Sequence, residues 1–292
     1  MIINISSRTD IPAFYSEWLR NRLNAGFFDV RNPFNPKMVS RIHLKDADAI
    51  MFCTKNPIPI IPLLSRIQIP ILMDVTVTPY HQNIEPGLPD KRKIIEAIRE
   101  ISTIVGPDHM AVRYDPIFIS ERYTIDYHIR AFEKLCIELD GCVEQIAISF
   151  LDLYKNTKKN WPYLRFRNMT SKEIQKLGEN FKRIADQYHI EVFTCSEKNI
   201  LAEYGIKDGA CFSQEKAFEM TGKKFPKWKA RDCGCVEMAD VGVYNSCRHL
   251  CRYCYANYDE KQIQKNMQLH DPNSSLLIGH LEKDDVIKDR KP

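Results

Sequence analysis

The chain has 292 residues, 44% of them hydrophobic and 27% charged, which excludes a wholly disordered polymer and supplies enough apolar material for a substantial core. Forty-two Lys plus Arg against thirty-eight Asp plus Glu leave a net charge of +4, too mild to require a nucleic-acid partner but compatible with a local basic patch. No apolar run is long enough to span a bilayer and the first residues lack the pattern of a signal peptide, so no membrane partner is expected. The expected location is the reducing cytoplasm, where ten cysteines read as thiols or metal ligands rather than disulfides.

In chain order, apolar runs predict strands over Ile2–Ser6, Ala49–Thr54, Ile69–Thr78, Met110–Tyr114, Val143–Leu151, Ile190–Cys195, Gly209–Phe212 and Asp240–Tyr244. Several are continuous rather than alternating, as in Ile-Leu-Met-Asp-Val-Thr-Val, which favours parallel strands covered on both faces. Helical spacing marks Ala13–Asn24 and Lys91–Ile104. A capping box, Thr170-Ser-Lys-Glu173, opens another helix whose Ile174, Leu177, Phe181 and Ile184 share one face. Strand followed by helix is the recurring unit, so the fold class is α/β and TIM-barrel-like. Residues 1–258 are expected to form one barrel-like domain, with 259–292 as a tail packed on it.

Polar residues follow the strands: Ser7-Arg8-Thr9-Asp10, Thr54-Lys55-Asn56-Pro57, Arg113-Tyr114-Asp115-Pro116, and Asp152 with Tyr154. In a barrel these converge on one mouth, where an active site lies; taken singly they serve equally well as turn and capping residues. Arg8, Asp10, Lys55, Arg113 and Asp115 are the expected substrate-facing catalytic set, the cations anchoring a carboxylate or phosphate and the acids binding polar groups or moving protons. A structural ion pair is the competing reading of Arg113 and Asp115.

Five cysteines crowd the stretch Cys233, Cys235, Cys247, Cys251 and Cys254. The last three, spaced by three and two residues, can turn toward one centre and leave a fourth iron position open, as a 4Fe-4S cluster that binds S-adenosylmethionine requires. Cys235 with those three could instead hold structural zinc, with Cys233 as an alternative ligand. His249, Tyr253 and Tyr255 stand beside the thiols as candidate cofactor-binding residues. Cys53 and Cys195, each at a strand end, read as packed thiols.

The Cys-Arg-Tyr-Cys-Tyr-Ala sequence at 251–256 resembles the cluster loop of radical S-adenosylmethionine enzymes, particularly the spore photoproduct lyase branch. There the loop follows the first barrel strand; here it follows Asp240–Tyr244, an order that a circularly permuted barrel reconciles. A Gly-Gly-Glu motif for the cofactor's methionine moiety is missing. Over nearly its full length the chain resembles the family DUF1848, through Arg8-Thr-Asp-Ile-Pro12, Arg31-Asn-Pro33, Thr54-Lys-Asn-Pro57, Arg113-Tyr-Asp-Pro116 and the cysteine-rich end. These resemblances imply a radical enzyme that abstracts hydrogen from an unidentified substrate, supplied by an external electron donor.

The alternative is a non-enzymatic nucleic-acid-binding protein with structural zinc. Its support is the segment from Lys223 to Arg231, in which Lys223, Lys224, Lys227, Lys229 and Arg231 surround Phe225 and Trp228. An exposed lysine-rich linker explains the same residues. No Walker loop or Gly-x-Gly-x-x-Gly signature occurs.

Overall fold

The computed structural model describes residues 1–229 and 233–292; Arg231 of the basic segment therefore lies outside the described residues. Ten strands are placed: β1 Ile2–Ile5, β2 Phe27–Asn32, β3 Asn35–His43, β4 Ala49–Thr54, β5 Ile71–Thr76, β6 Met110–Ile117, β7 Gln145–Phe150, β8 Glu191–Thr194, β9 Met238–Asp240 and β10 Val286–Asp289. Seven form a parallel sheet in the order β8-β7-β6-β5-β4-β1-β9. This is a mixed α/β fold built on a large parallel sheet, and its topology is consistent with a barrel.

Alternation along each strand separates two apolar layers. Ile3, Ile5, Ile50, Phe52, Met73, Val75, Val112, Ile146 and Ile148 join a core with Ile94, Ile98 and Ile101 of the helix Lys91–Val105, Phe132 and Leu135 of Ile125–Leu139, and Phe181 and Ile184 of Ser171–Gln187. On the other face Ile2, Ala49, Met51 and Leu72 pack with Cys211, Phe212, Val236 and Met238. Covered on both sides, these strands have no polar face to display along most of their length, which is why their runs are continuous.

Toward the carboxyl ends the second face turns polar. Cys53 stands opposite Asp74, Asp74 opposite Ala111, and Thr76 opposite Arg113. Period-two spacing puts Cys53 and Asp74 on the side of Met51 and Leu72, away from the helices. The sheet thus gathers ionisable side chains at one end of one face.

Two expected strands differ. Gly209–Phe212 forms no strand. Asp208 makes a single bridge to Thr194, and a Cβ on Gly209 would meet the Phe193 ring at 2.5 Å, so the backbone is pressed onto a side chain rather than laddered. The strand expected over Asp240–Tyr244 instead ends at Asp240, as β9, because the Asp240 carboxylate accepts the Gly242 N–H at 2.7 Å and turns the chain. The capping box on the helix Ser171–Gln187 is present, with Glu173 N–H donating to Thr170 Oγ1 at 3.3 Å and Thr170 N–H to Glu173 Oε2 at 2.9 Å.

A three-stranded sheet, β10-β3-β2, stands apart from the main one. Near it Trp18 Nε1 donates to the carbonyls of Ser274 and Leu276 at 2.9 and 3.1 Å. Among the described residues no helix is long and apolar enough to cross a membrane.

Candidate functional site

The loop after β1 brings Asp10 under the loop after β4. Asp10 Oδ1 caps the turn Ile11–Phe14 by accepting the Ala13 N–H at 3.0 Å and also accepts Thr54 Oγ1 at 2.6 Å. Its Oδ2 accepts the Lys55 N–H at 2.7 Å and lies 2.8 Å from His249 Nε2. The other ring nitrogen of His249 faces the Gly87 carbonyl at 3.2 Å. Asp10 and His249 are both buried, so the carboxylate welds three separate loops together. Gly87 permits this approach, since a Cβ there would meet Arg248 O at 2.4 Å and His249 Cα at 2.8 Å.

The second element is Glu85, which is 1% exposed. It accepts Lys55 Nζ at 3.0 Å, Lys91 Nζ at 2.7 Å, Thr78 Oγ1 at 2.6 Å and the Tyr253 hydroxyl. Burial by itself would raise its carboxyl, but the Lys55 and Lys91 ammoniums hold it at about 2. Two ammoniums thus share one carboxylate. Lys91 spends its N–H groups on Glu85 and on the carbonyls of Thr78 and Tyr80. The Lys55 ammonium has Glu85 as its only hydrogen-bond acceptor among the described residues and lies 5.4 Å from the Tyr253 ring centroid, leaving ammonium N–H groups for a ligand.

The third element is Arg113 on β6, which donates to Asp115 and to Cys211 Sγ and lies 3.8 Å from Asp74. Asp74, on β5, is 1% exposed and its Oδ1 has no hydrogen-bond partner among the described residues. Burial, reinforced by the Asp115 charge and only partly opposed by Arg113, pushes the Asp74 carboxyl up to about 7. Glu197, after β8, is also pushed up to about 7, chiefly by burial and then by Asp152, Asp208 and Asp115.

Arg8 is drawn toward the end of β9, the strand next to β1. Its Nε donates to Asp240 Oδ1 at 3.2 Å and its Nη2 to the Asp240 carbonyl at 2.7 Å, while Asp240 also accepts Ser6 Oγ at 2.9 Å and Ser7 N at 3.0 Å. Of the five residues expected at the mouth, Lys55 and Asp10 are therefore joined through the chain at Lys55, Arg113 and Asp115 pair with each other, and Arg8 pairs with Asp240. Tyr253 reaches Glu85, whereas Tyr255, 45% exposed, donates to the Ser7 carbonyl at 2.7 Å. Asp152 and Tyr154 lie at the exposed edge, with Tyr154 donating to Asp152 at 3.0 Å.

The expected metal centre is corrected. Among the described residues no group of three or more His, Cys, Asp or Glu is placed to hold a metal ion. Cys233 and Cys235 pack in the apolar layer with Cys211, Phe212 and Val236, whereas Cys251 and Cys254 pack with Tyr80, Phe118, Tyr123 and Tyr253. The proposed zinc tetrathiolate is therefore divided between two clusters. Cys247 is buried, its N–H donating to Asn257 Oδ1 at 2.9 Å, and burial pushes the Cys247 and Cys251 thiols up. The 4Fe-4S cluster, S-adenosylmethionine, structural zinc, the radical reaction with its electron donor and the zinc-dependent nucleic-acid alternative all fall on this point.

Glu85, Lys91 and Asp74 were missed at the level of sequence. Glu85 lies in a loop without periodicity. Asp74 did carry a signal, as the lone acid within an otherwise apolar strand, Ile-Leu-Met-Asp-Val-Thr. The chain matches the family described as a domain of unknown function, DUF1848, over residues 2–256, and belongs to it. No curated protein and no solved structure matches it.

Proposed function

We propose that this DUF1848 member is an acid–base enzyme whose site, at the carboxyl ends of β1, β4, β5 and β6, binds a small anionic organic molecule. Lys55 and Arg113 attract the anion, and Asp74 exchanges a proton with it. The observation that carries this reading is Asp74 Oδ1: a buried carboxyl oxygen without a partner, beside a buried guanidinium, on a group that titrates at about 7. An unsatisfied buried oxygen is costly for folding alone, and a proton donor or acceptor works best when it titrates near the working pH.

Asp10 and His249 act as positioning residues, since their hydrogen bonds fix the Lys55 backbone and the loop carrying Tyr253. Glu85 keeps Lys55 charged and aimed. Arg8 and Asp240 join the β1 and β9 ends of the same mouth.

The same reading takes the sheet as a closed barrel. Segment 207–212 supports closure: Gly209 N–H donates to the Thr194 carbonyl at 2.8 Å on one side, and Val236 N–H to the Phe212 carbonyl at 3.0 Å on the other. In this reading β9 beside β1 continues the closure, and circular permutation is not needed for it. Residues 1–258 are proposed as one unit with 259–292 laid on it, a reading supported by the β10–β3 pairing. That the cysteines stand as thiols rather than disulfides supports a reducing, cytoplasmic setting.

Calorimetric titration with a panel of small carboxylates and phosphate monoesters at pH 6–8 tests the proposal. At least one compound should bind, binding should weaken tenfold or more in Lys55→Met, and the proton uptake accompanying it should vanish in Asp74→Asn. Failure of the whole panel to bind, or binding indifferent to both substitutions, would overturn it.

A further inference from the structure

On the far side of the Lys91 ammonium lies a cavity of about 420 Å³ between the helices Lys91–Val105 and Ile125–Leu139. It opens in the outer helical layer rather than at the polar mouth. Val77 and Tyr114 lie at the sheet side, and Ile95 and Leu135 line the walls. The volume falls within the range that accommodates a small organic ligand.

The charges around this cavity are uneven. Its lining carries four cations, Lys91, Arg92, Arg99 and Lys134, against three acids, Asp90, Glu96 and Glu138; Arg92 is paired with Asp90 and attracted by Glu96, and Arg99 is paired with Glu138. Lys134 has neither a hydrogen-bond acceptor nor an acid partner among the described residues. Lys91, at the inner wall, shares Glu85 with Lys55, so two ammoniums answer to one carboxylate. Burial lowers the Lys91 ammonium despite the attraction of Glu85. An apolar chamber whose lining holds one cation in excess, with the unpaired Lys134 ammonium at its rim, is complementary to a molecule with an apolar body and one negative charge.

We propose that this cavity is a second ligand site, for an amphipathic carboxylate whose apolar body lies over Val77, Ile95 and Leu135 and whose carboxylate faces Lys134. A ligand seated there also touches Thr78 and Lys91, both hydrogen-bonded to Glu85. Occupancy is thereby felt at Lys55 through one carboxylate. The site rests on residues independent of Asp74 and Arg113, so it stands whether or not the mouth performs acid–base chemistry.

Decanoate and decanol are the probes, each titrated against the full-length protein by calorimetry. Decanoate should bind with one-to-one stoichiometry and decanol at least fivefold more weakly. Lys134→Glu, a surface change, should weaken decanoate at least fivefold while leaving the unfolding midpoint within about 1 °C. Ala131→Trp, which fills the chamber, should abolish binding in protein whose circular dichroism is unchanged; if that variant misfolds, the Lys134→Glu comparison decides alone. Equal affinity for the acid and the alcohol, no decanoate binding, or unchanged decanoate affinity in Lys134→Glu would overturn the proposal.

Discussion

Glu85→Gln keeps the shape of a side chain that is 1% exposed and removes only its charge. In the folded protein burial tends to raise this carboxyl, yet Lys55 and Lys91 hold it at about 2, against an ordinary value of 4.5. At about 1.4 kcal/mol per pH unit, ionised Glu85 contributes on the order of 3 kcal/mol at neutral pH. Removing one member of a buried ion pair costs about 3–5 kcal/mol by a separate line of reasoning, which counts the same interaction. The variant should therefore lose about 3–5 kcal/mol, or on the order of 10 °C in Tm.

Urea unfolding followed by circular dichroism at pH 7.5 measures this loss directly. Because the folded value lies below the unfolded one, the Glu85 contribution is complete above about 4.5 and disappears as the pH falls toward about 2. The gap between wild type and variant should close over that window. Adding Lys91→Met should recover at least about 1 kcal/mol, since the surplus ammonium goes with it. A loss under about 1 kcal/mol at pH 7.5, or a gap that widens in acid, would refute the account of two lysines sharing one carboxylate.

Three further outcomes follow from the same geometry. Asp74 titrates at about 7 in the fold against 3.8 ordinarily, so its protonation stabilises the protein at low pH and that contribution is lost as the pH rises through about 7; Asp74→Asn should flatten this decline in urea midpoints taken from pH 4 to 8. Gly87→Ala would drive a Cβ to 2.4 Å from the Arg248 carbonyl, and should cost about 1–3 kcal/mol in chemical denaturation while shifting the His249 ring resonances in NMR spectra. Asp10→Ala strips partners from Ala13 N, Thr54 Oγ1, Lys55 N and His249 Nε2 together; a loss above about 3 kcal/mol by the same assay is expected, and one near that of a simple helix cap, about 1 kcal/mol, would contradict its role as a weld between loops.

Strands with a continuous apolar run, such as Ala49–Thr54, were legible because burial on both faces demands the same residue types whatever their neighbours. The hairpin of β2 and β3 was not. Its strand Asn35–His43 is exposed over Asn35, Pro36 and Lys37, and it is completed by β10 from the far end of the chain, a pairing to which no local pattern points. The strand before the cysteine loop was displaced for a similar reason: Val241 and Val243 look like strand residues, but the Asp240 carboxylate, held by Ser6, Ser7 and Arg8, ends the ladder first.

By itself the sequence determined the α/β class, the parallel strands, the capping box and the collection of polar residues at strand ends, because each rests on spacing within a few residues. It also singled out Lys55, Arg113, Asp10 and Asp115 as residue types able to bind an anion or move a proton. Only the tertiary structure decided their partners. Thiols close in sequence could have met around a metal, but packing distributes Cys235 and Cys251 between separate apolar clusters. A loop glutamate became a fourfold-bonded buried carboxylate because Lys55, Thr78, Lys91 and Tyr253 converge on it. Hydrogen bonding and desolvation depend on what surrounds a group in space: Asp74 and His249 meet Arg113, Asp10 and Gly87 from dozens to hundreds of residues away along the chain, and Glu85 meets Lys55 and Tyr253 the same way.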